Sequence, residues 1–255
     1  MDLTDKVVVV TGGASGIGRA MATRFLAEGA RQAVIADVNE EGLQLVAKEI
    51  GALAVPTDVS KEADVTHLIR TAEERFGQID LLCSNAGIGM AGGVTAANES
   101  WQRIWEVNVM AHIYAARAAL PAMIARGDGY LLNTSSAAGL LTSLGAAPYS
   151  VTKHAAVALA EWLSITHGDK GIKVSVLCPL AVRTGMTSSG GGATGEMMEP
   201  EELCDCVVEA LQKETFLIIP HGEVLTYIRR KTDDYDRWLN GMRRLQQRAG
   251  RDDII

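Results

Sequence analysis

Cysteine is scarce in this chain, four in 255 residues, and aromatic residues make up only 5%. Cys83, Cys178, Cys204 and Cys206 have neither the paired spacing of a zinc site nor the density of a disulfide framework, so no metal site is expected and a reducing compartment suits them. Cys204 and Cys206 form the one close pair, but residues two apart on a helix point in different directions, and buried thiols are expected. The five histidines, His67, His112, His154, His167 and His221, lack ligand spacing, and ordinary surface or core roles are expected of each. Positive charge is in deficit: 24 Lys and Arg against 31 Asp and Glu give a formal charge of −7, which argues against nucleic acid as a partner. No apolar run approaches a membrane span, and the opening MDLTDKVVVV lacks the basic start and cleavage site of a signal peptide. A cytoplasmic protein without a membrane partner is expected.

What is present is a globular composition, 47% hydrophobic and 22% charged, in a chain long enough for a large core. Short β-branched runs alternate with helical patterns almost to the end, the mark of βαβ units and a parallel sheet. Strands are predicted over 7–10, 33–36, 53–55, 81–84, 130–133, 174–177 and 216–219. Helices are predicted over 17–27, 40–50, 62–76, 99–125, 150–167 and 200–213. No linker divides the chain, so 1–255 reads as one α/β domain, doubly wound around a seven-stranded sheet. The stretch from Thr184 to Glu196, TGMTSSGGGATGE, has the composition of a mobile loop. From Glu223 onward Ile228, Tyr235, Trp238, Met242 and Leu245 fall at helical spacing, which predicts an amphipathic C-terminal helical extension over 223–249. Asp233, Asp234 and Asp236 interleave with its arginines, favouring a packed helix with a solvated face over a nucleic-acid or membrane helix.

Directly after the first strand the chain reads Thr11-Gly12-Gly13-Ala14-Ser15-Gly16-Ile17-Gly18 and then turns helical. Glycine permits positive φ and close backbone approach, and a helix start offers unpaired N–H groups, so this turn is built to hold a pyrophosphate. Gly18 can serve helix–strand packing alone. Gly13 and Gly18 also have the spacing of a nucleotide-hydrolysing P-loop, but Arg19 and Ala20 stand where its Lys and Ser or Thr belong. Asp37, at the end of the second strand, is placed to accept hydrogen bonds from an adenosine ribose, and Asp58 follows the third strand.

Tyr149 and Lys153, four apart at a helix start, share one face, and Ser136 follows the fifth strand. A nearby ammonium favours a phenolate, so Lys153 is expected to lower the pKa of Tyr149, while Ser136 holds a substrate oxygen during proton transfer. A second Tyr-x-x-x-Lys, Tyr227 and Lys231, has Glu214 rather than serine thirteen residues before it and reads as structural.

From Lys6 to about Ile219 the whole pattern resembles the short-chain dehydrogenase/reductase family. TGGASGIG resembles its TGxxxGxG cofactor loop, with Gly12, Ser15, Gly16 and Ile17. Asp58 with Val59 resembles its adenine contact, and Asn85, Ala86 and Gly87 its NAG motif. The resemblance implies Ser136, Tyr149 and Lys153 as a catalytic triad and Asn108 as support for a water-linked proton relay. It implies Lys153 on the nicotinamide ribose and Pro179, Val182 and Thr184 along the cofactor. Leu180 replaces the glycine usual after Pro179, Ser84 replaces the first asparagine of NNAG, and the usual Gly-containing finish is missing. The implied activity is hydride transfer between NAD and a small-to-medium, largely apolar secondary alcohol or ketone. Asp37 and the absence of a basic residue at Ser15 favour NAD over NADP. Met90, Leu140, Leu141, Met186, Met197 and Met198 are pocket candidates. A non-turnover dinucleotide sensor is the competing class, and the retained Ser136, Tyr149, Lys153 and Asn108 argue against it. The run Ala155 to Ala160 is apolar on nearly every face and needs cover on both sides, and the resemblance implies a homodimer or homotetramer through the helices flanking the fifth strand.

Overall fold

A β-branched run can be buried along its whole length only where helices cover both faces of its sheet, and Val7–Thr11 is buried at every position. In the computed structural model, which describes residues 1–188 and 197–249, this run is β1, near the middle of a seven-stranded sheet. The other strands are β2 (Gln32–Asp37), β3 (Leu53–Pro56), β4 (Leu81–Ser84), β5 (Gly129–Thr134), β6 (Ile172–Leu177) and β7 (Leu217–Ile218). Their order is β3-β2-β1-β4-β5-β6-β7, with every pairing parallel. The chain winds outward from β1 to β3 and then restarts at β4 on the other side of β1. The C-terminal ends of β1 and β4 therefore flank the switch point where ligands enter such sheets. This is the doubly wound architecture expected from the alternation.

The period of two along each strand sorts the core into two layers. Val8, Val10 and Ile35 face α1 (Gly16–Ala27), α2 (Glu40–Ile50) and α9 (Pro200–Lys213), meeting Met21, Phe25, Leu43, Leu203 and Leu211. Val9, Val34 and Leu82 face α3 (Glu62–Phe76), α5 (Ala111–Arg126) and α7 (Ala147–His167), meeting Leu68, Ala115, Met123 and Leu163. Each large aliphatic or aromatic side chain buried this way contributes about 1.5–3 kcal/mol. Helix ends follow local chemistry. The Asn39 side chain accepts from Gly42 N to start α2, and Gly51, at φ 73°, ends it in the left-handed conformation.

The single helix expected over 99–125 is three pieces: α4 (Asn98–Trp105), a π-helical turn (Glu106–Met110) and α5. By length and composition Asn98–Arg126 does reach membrane-span size, against the expectation that no segment would. Half of its most apolar window is buried, and its apolar residues pack on the sheet, as a covering helix of a parallel sheet requires. A four-residue helix, α6 (Ala138–Leu141), was not expected. Of the predicted mobile loop, Gly185–Ser188 is a helical turn, α8, and residues 189–196 lie outside the described residues. The C-terminal extension is two helices rather than one, α10 (Gly222–Asp233) and α11 (Tyr235–Arg248). They divide at Asp234, whose extended backbone breaks the first helix while its side chain accepts from Arg237 N to start the second.

Candidate active site

Thr11 ends β1 and stitches it to the chain leaving β4. Its Oγ1 accepts from the backbone N–H of Asn85 at 2.9 Å and of Ala86 at 3.0 Å, and Asn85 Nδ2 donates to Thr11 O at 3.0 Å. The glycine turn and the Asn85–Gly87 segment thus line the two sides of the switch point. Gly12 has φ 71°, and a Cβ there would stand 3.0 Å from Asn85 Nδ2 and 3.1 Å from Ala86 Cα, so no other residue fits without displacement. A Cβ on Gly18 would lie 2.1 Å from Gly12 O, which confirms its packing role.

The start of α1 is left open to an anion. Ser15 is its N-cap but its side chain makes no cap bond, and the first turn contains no acid. Other helices, α7 (Ala147–His167) among them, also start without a side-chain cap, and what sets α1 apart is the glycine turn that leads into it. A helix that follows a glycine turn yet keeps its N-terminal groups uncapped fits a pyrophosphate.

Asp37 is already engaged with the protein. Its Oδ2 accepts from Ala14 N at 3.1 Å and its Oδ1 from Asn39 N at 3.0 Å, so it braces the glycine turn and keeps lone pairs for further donors. On the neighbouring strand end, Asp58 accepts from Ser60 N at 3.1 Å and Ser60 Oγ at 2.7 Å. Those bonds, with Arg103 and Lys61 nearby, hold its carboxyl below the usual carboxylate range despite partial burial. Val59 is buried and packs in the layer under α3.

Ser136, Tyr149, Lys153 and Asn108 come together at the C-terminal ends of β4 to β6. Lys153 is 3% exposed and donates from Nζ to Thr134 O at 3.1 Å. Asn108 is fully buried in the π-helical turn, a distortion often found at functional sites. Its Oδ1 accepts from Ile88 N at 2.9 Å, and its Nδ2 donates to Ile88 O at 2.9 Å and Thr152 Oγ1 at 3.2 Å. Both amide hydrogens are used, so the side chain acts as a clamp between the β4 loop and α7. Gly87 completes the group: a Cβ there would lie 3.2 Å from Asn108 Oδ1 and 3.4 Å from Lys153 Nζ. Ser136 Oγ accepts from Ala138 N at 3.1 Å.

Electrostatically the cluster departs from expectation. Burial pushes the Tyr149 phenol up, and the Ser136 hydroxyl beside it offsets part of that shift. Burial pushes the Lys153 ammonium down to about 8. Removal from water disfavours the charged form of both groups, and for Tyr149 this burial outweighs what lowers it. His112, hydrogen-bonded to Asn133 Oδ1 at 2.9 Å, is pushed down to about 4 by burial and the Lys153 charge.

Pro179 O accepts from Ala137 N at 2.8 Å, tying the β6 loop to the β5 loop. Val182 is buried and bridges to Met198. Thr184 reaches the glycine turn: its Cγ2 lies 3.1 Å from where a Gly16 Cβ would stand. Met186 Cγ is similarly placed 3.2 Å from a Cβ on Gly89, so α8 closes over the β4 loop. Among the pocket candidates, Leu140, Leu141 and Met198 take part in packing. Thr11 heads the glycine motif, but its tie to Asn85 and the whole role of Thr152 in holding Asn108 were not legible in the sequence, because a threonine hydroxyl serving a distant group leaves no periodic signal. The second Tyr-x-x-x-Lys is structural as expected, with Tyr227 against Trp238 and Lys231 bonded to Leu140 O.

A family model for short chain dehydrogenase matches residues 6–192. An uncharacterized oxidoreductase of Staphylococcus aureus strain MRSA252 is 35% identical over 213 residues, 82% of this chain and 92% of that protein. The 1-deoxy-11-beta-hydroxypentalenate dehydrogenase of Streptomyces exfoliatus is 34% identical over 247 residues, 92% of this chain and 90% of that protein. A short-chain dehydrogenase/reductase of Burkholderia phymatum, solved in complex with NAD, superposes with a TM-score of 0.86 at 29% identity, covering 92% of this chain and 96% of its own. With the glycine turn, the switch-point crevice and the Ser136–Tyr149–Lys153 cluster all in one place, the chain belongs to the short-chain dehydrogenase/reductase family of oxidoreductases.

Proposed function

We propose that the protein is an NAD-dependent alcohol dehydrogenase or ketoreductase acting on small-to-medium, largely apolar secondary alcohols or ketones. The observation that carries this reading is the convergence of Ser136, Tyr149, Lys153 and Asn108 beside a helix start with no side-chain cap. Gly12, Ser15, Gly16 and Ile17 would hold the pyrophosphate, and Asp37 the adenosine ribose, with Asp58 and Val59 at the adenine. Asn85, Ala86, Gly87, Pro179, Val182 and Thr184 would line the nicotinamide half. Bound NAD supplies the ring that accepts or returns the hydride.

The chain's own residues manage the proton. Ser136 orients the substrate oxygen. In reduction the Tyr149 phenol gives its proton to that oxygen and becomes a phenolate. In oxidation the phenolate, its own proton first released to solvent, takes the hydroxyl proton as the alcohol becomes a ketone. Lys153, beside the ring of Tyr149, stabilises the phenolate as it forms in the reaction even though the resting phenol stays neutral. Asn108 keeps the β4 loop and α7 at the spacing this requires. Apolar selectivity is supported by Met186 and Met90 on the segments that border the crevice, and by a relative named for a hydroxypentalenate.

Cover for α7 extends the same reading to a homodimer or homotetramer. Val151, Ala158, Trp162 and Ile165 recur at helical spacing on one exposed side, with Ile165 85% exposed. A cytoplasmic location is supported by four unpaired cysteines. Incubation with NAD and a panel of secondary alcohols, read by absorbance of the reduced nicotinamide, tests the activity. Formation of NADH with at least one apolar alcohol is expected, and silence across the panel and its ketones would contradict it.

A further inference from the structure

The C-terminal helices stand outside the matched 6–192 region, yet they hold both loops that carry the proposed chemistry. His221, at the start of α10, is 7% exposed and lies between α10 and the loop after β6. Leu180 N donates to its Nδ1 at 3.2 Å, and its Nε2 donates to Ala181 O at 3.0 Å. Both ring nitrogens are committed, and the two partners assign the proton to Nε2. Ten residues on, roughly 15 Å along a helix, Lys231 Nζ donates to Leu140 O at 2.6 Å, at the end of α6. Between these ties Val224 is fully buried against Ala137 and Leu141, with Tyr227, Ile228 and Trp238 packed around them.

We propose that α10 is an orienting strap of the active site. His221 is a positioning residue for the Pro179–Thr184 loop along the cofactor, and Lys231 is a positioning residue for α6, which borders Ser136. The inference rests on the functional reading above and goes beyond it in assigning the two residues separate effects. His221 fixes backbone three and four residues before Thr184, whose methyl group overlies Gly16, so loosening it displaces the nicotinamide side of the crevice. Lys231 fixes a carbonyl four residues after Ser136, on the substrate side. Small displacements of groups that orient a reactant weaken turnover out of proportion to any loss of stability. An amino-acid pair that only stabilised the fold would lower the melting temperature without separating cofactor binding from substrate use.

The test is a fluorescence titration with NADH, alongside steady-state kinetics with the best alcohol of the panel and thermal melting of each variant. His221→Phe keeps an aromatic ring but leaves Leu180 N–H without its ring acceptor and Ala181 O with Met198 N as its remaining donor, and should weaken NADH binding about tenfold. His221→Gln, which retains a donor and an acceptor, should recover part of that loss. Lys231→Met keeps the aliphatic stem and should raise substrate KM about fivefold while NADH affinity stays at the wild-type value. Should His221→Phe fail to fold, the split in Lys231→Met carries the test, and unchanged KM there overturns the strap. Wild-type protein that binds no NADH overturns the functional reading and the strap together. Wild-type protein that binds NADH, with His221→Phe binding it equally well, overturns the strap alone.

Discussion

The ammonium of Lys153 lies 5.6 Å from the centroid of the Tyr149 ring, and burial drives each of the two groups toward its neutral form. A resting site of neutral phenol and weakened ammonium differs from the phenolate that charge proximity alone would suggest. Neither charge is well solvated in this site, so burial opposes ionisation of both groups there.

Tyr149→Phe removes the hydroxyl while keeping the ring. Turnover should fall at least about 100-fold, the range for loss of a general acid or base, with NADH binding preserved. Near-normal kcat in the purified variant would remove Tyr149 from the proton-transfer step.

Lys153→Met should stabilise the cofactor-free protein. Lys153 is lowered from 10.5 to about 8 on folding, so between those values the unfolded chain holds a proton that the folded chain has released. Stability therefore rises with pH through that window, and below about pH 8 the cost of burying the ammonium is present in full. The methionine variant avoids that cost but loses the bond to Thr134 O, for a net gain of roughly 1–3 kcal/mol at pH 7. Its advantage should shrink as pH rises toward 10.5. Chemical denaturation of both proteins at pH 7 and pH 9.5 checks this, and a gap that does not change with pH would contradict it.

Asp37→Ser should erode the preference for NAD. The carboxylate braces Ala14 N and would stand close to a 2′-phosphate of NADP, where like charges repel. The ratio of kcat/KM for NAD over NADP should fall at least about tenfold, equivalent to about 1.4 kcal/mol. Wild-type preference for NADP would reverse the assignment.

Trp162→Glu combined with Ile165→Glu places two charges on the uncovered side of α7. Wild-type protein at micromolar concentration should scatter light as a dimer or tetramer, and the double variant as a smaller species. A wild-type monomer would show that this face has no partner copy.

The strands from β1 to β6 were readable to within a few positions because a buried parallel strand is apolar along its length and the helices between them carry their own period. The long helix over 99–125 was misjudged as continuous, since a π-turn around Asn108 changes hydrogen-bond register without changing composition. The C-terminal break at Asp234 was missed for the opposite reason: its one signal is a single capping aspartate among several.

By itself the sequence determined the parallel α/β order, the glycine turn before α1 and the shared face of Tyr149 and Lys153, since each is written within a few residues of contiguous chain. Only the tertiary structure decided the protonation balance of that pair, because desolvation depends on what distant segments stack around a group. It alone brought His221 to Leu180, 41 residues away, and Lys231 to Leu140, 91 residues away. Such contacts are made by backbone carbonyls and amides, which every residue possesses, so side-chain identity along the chain cannot announce them.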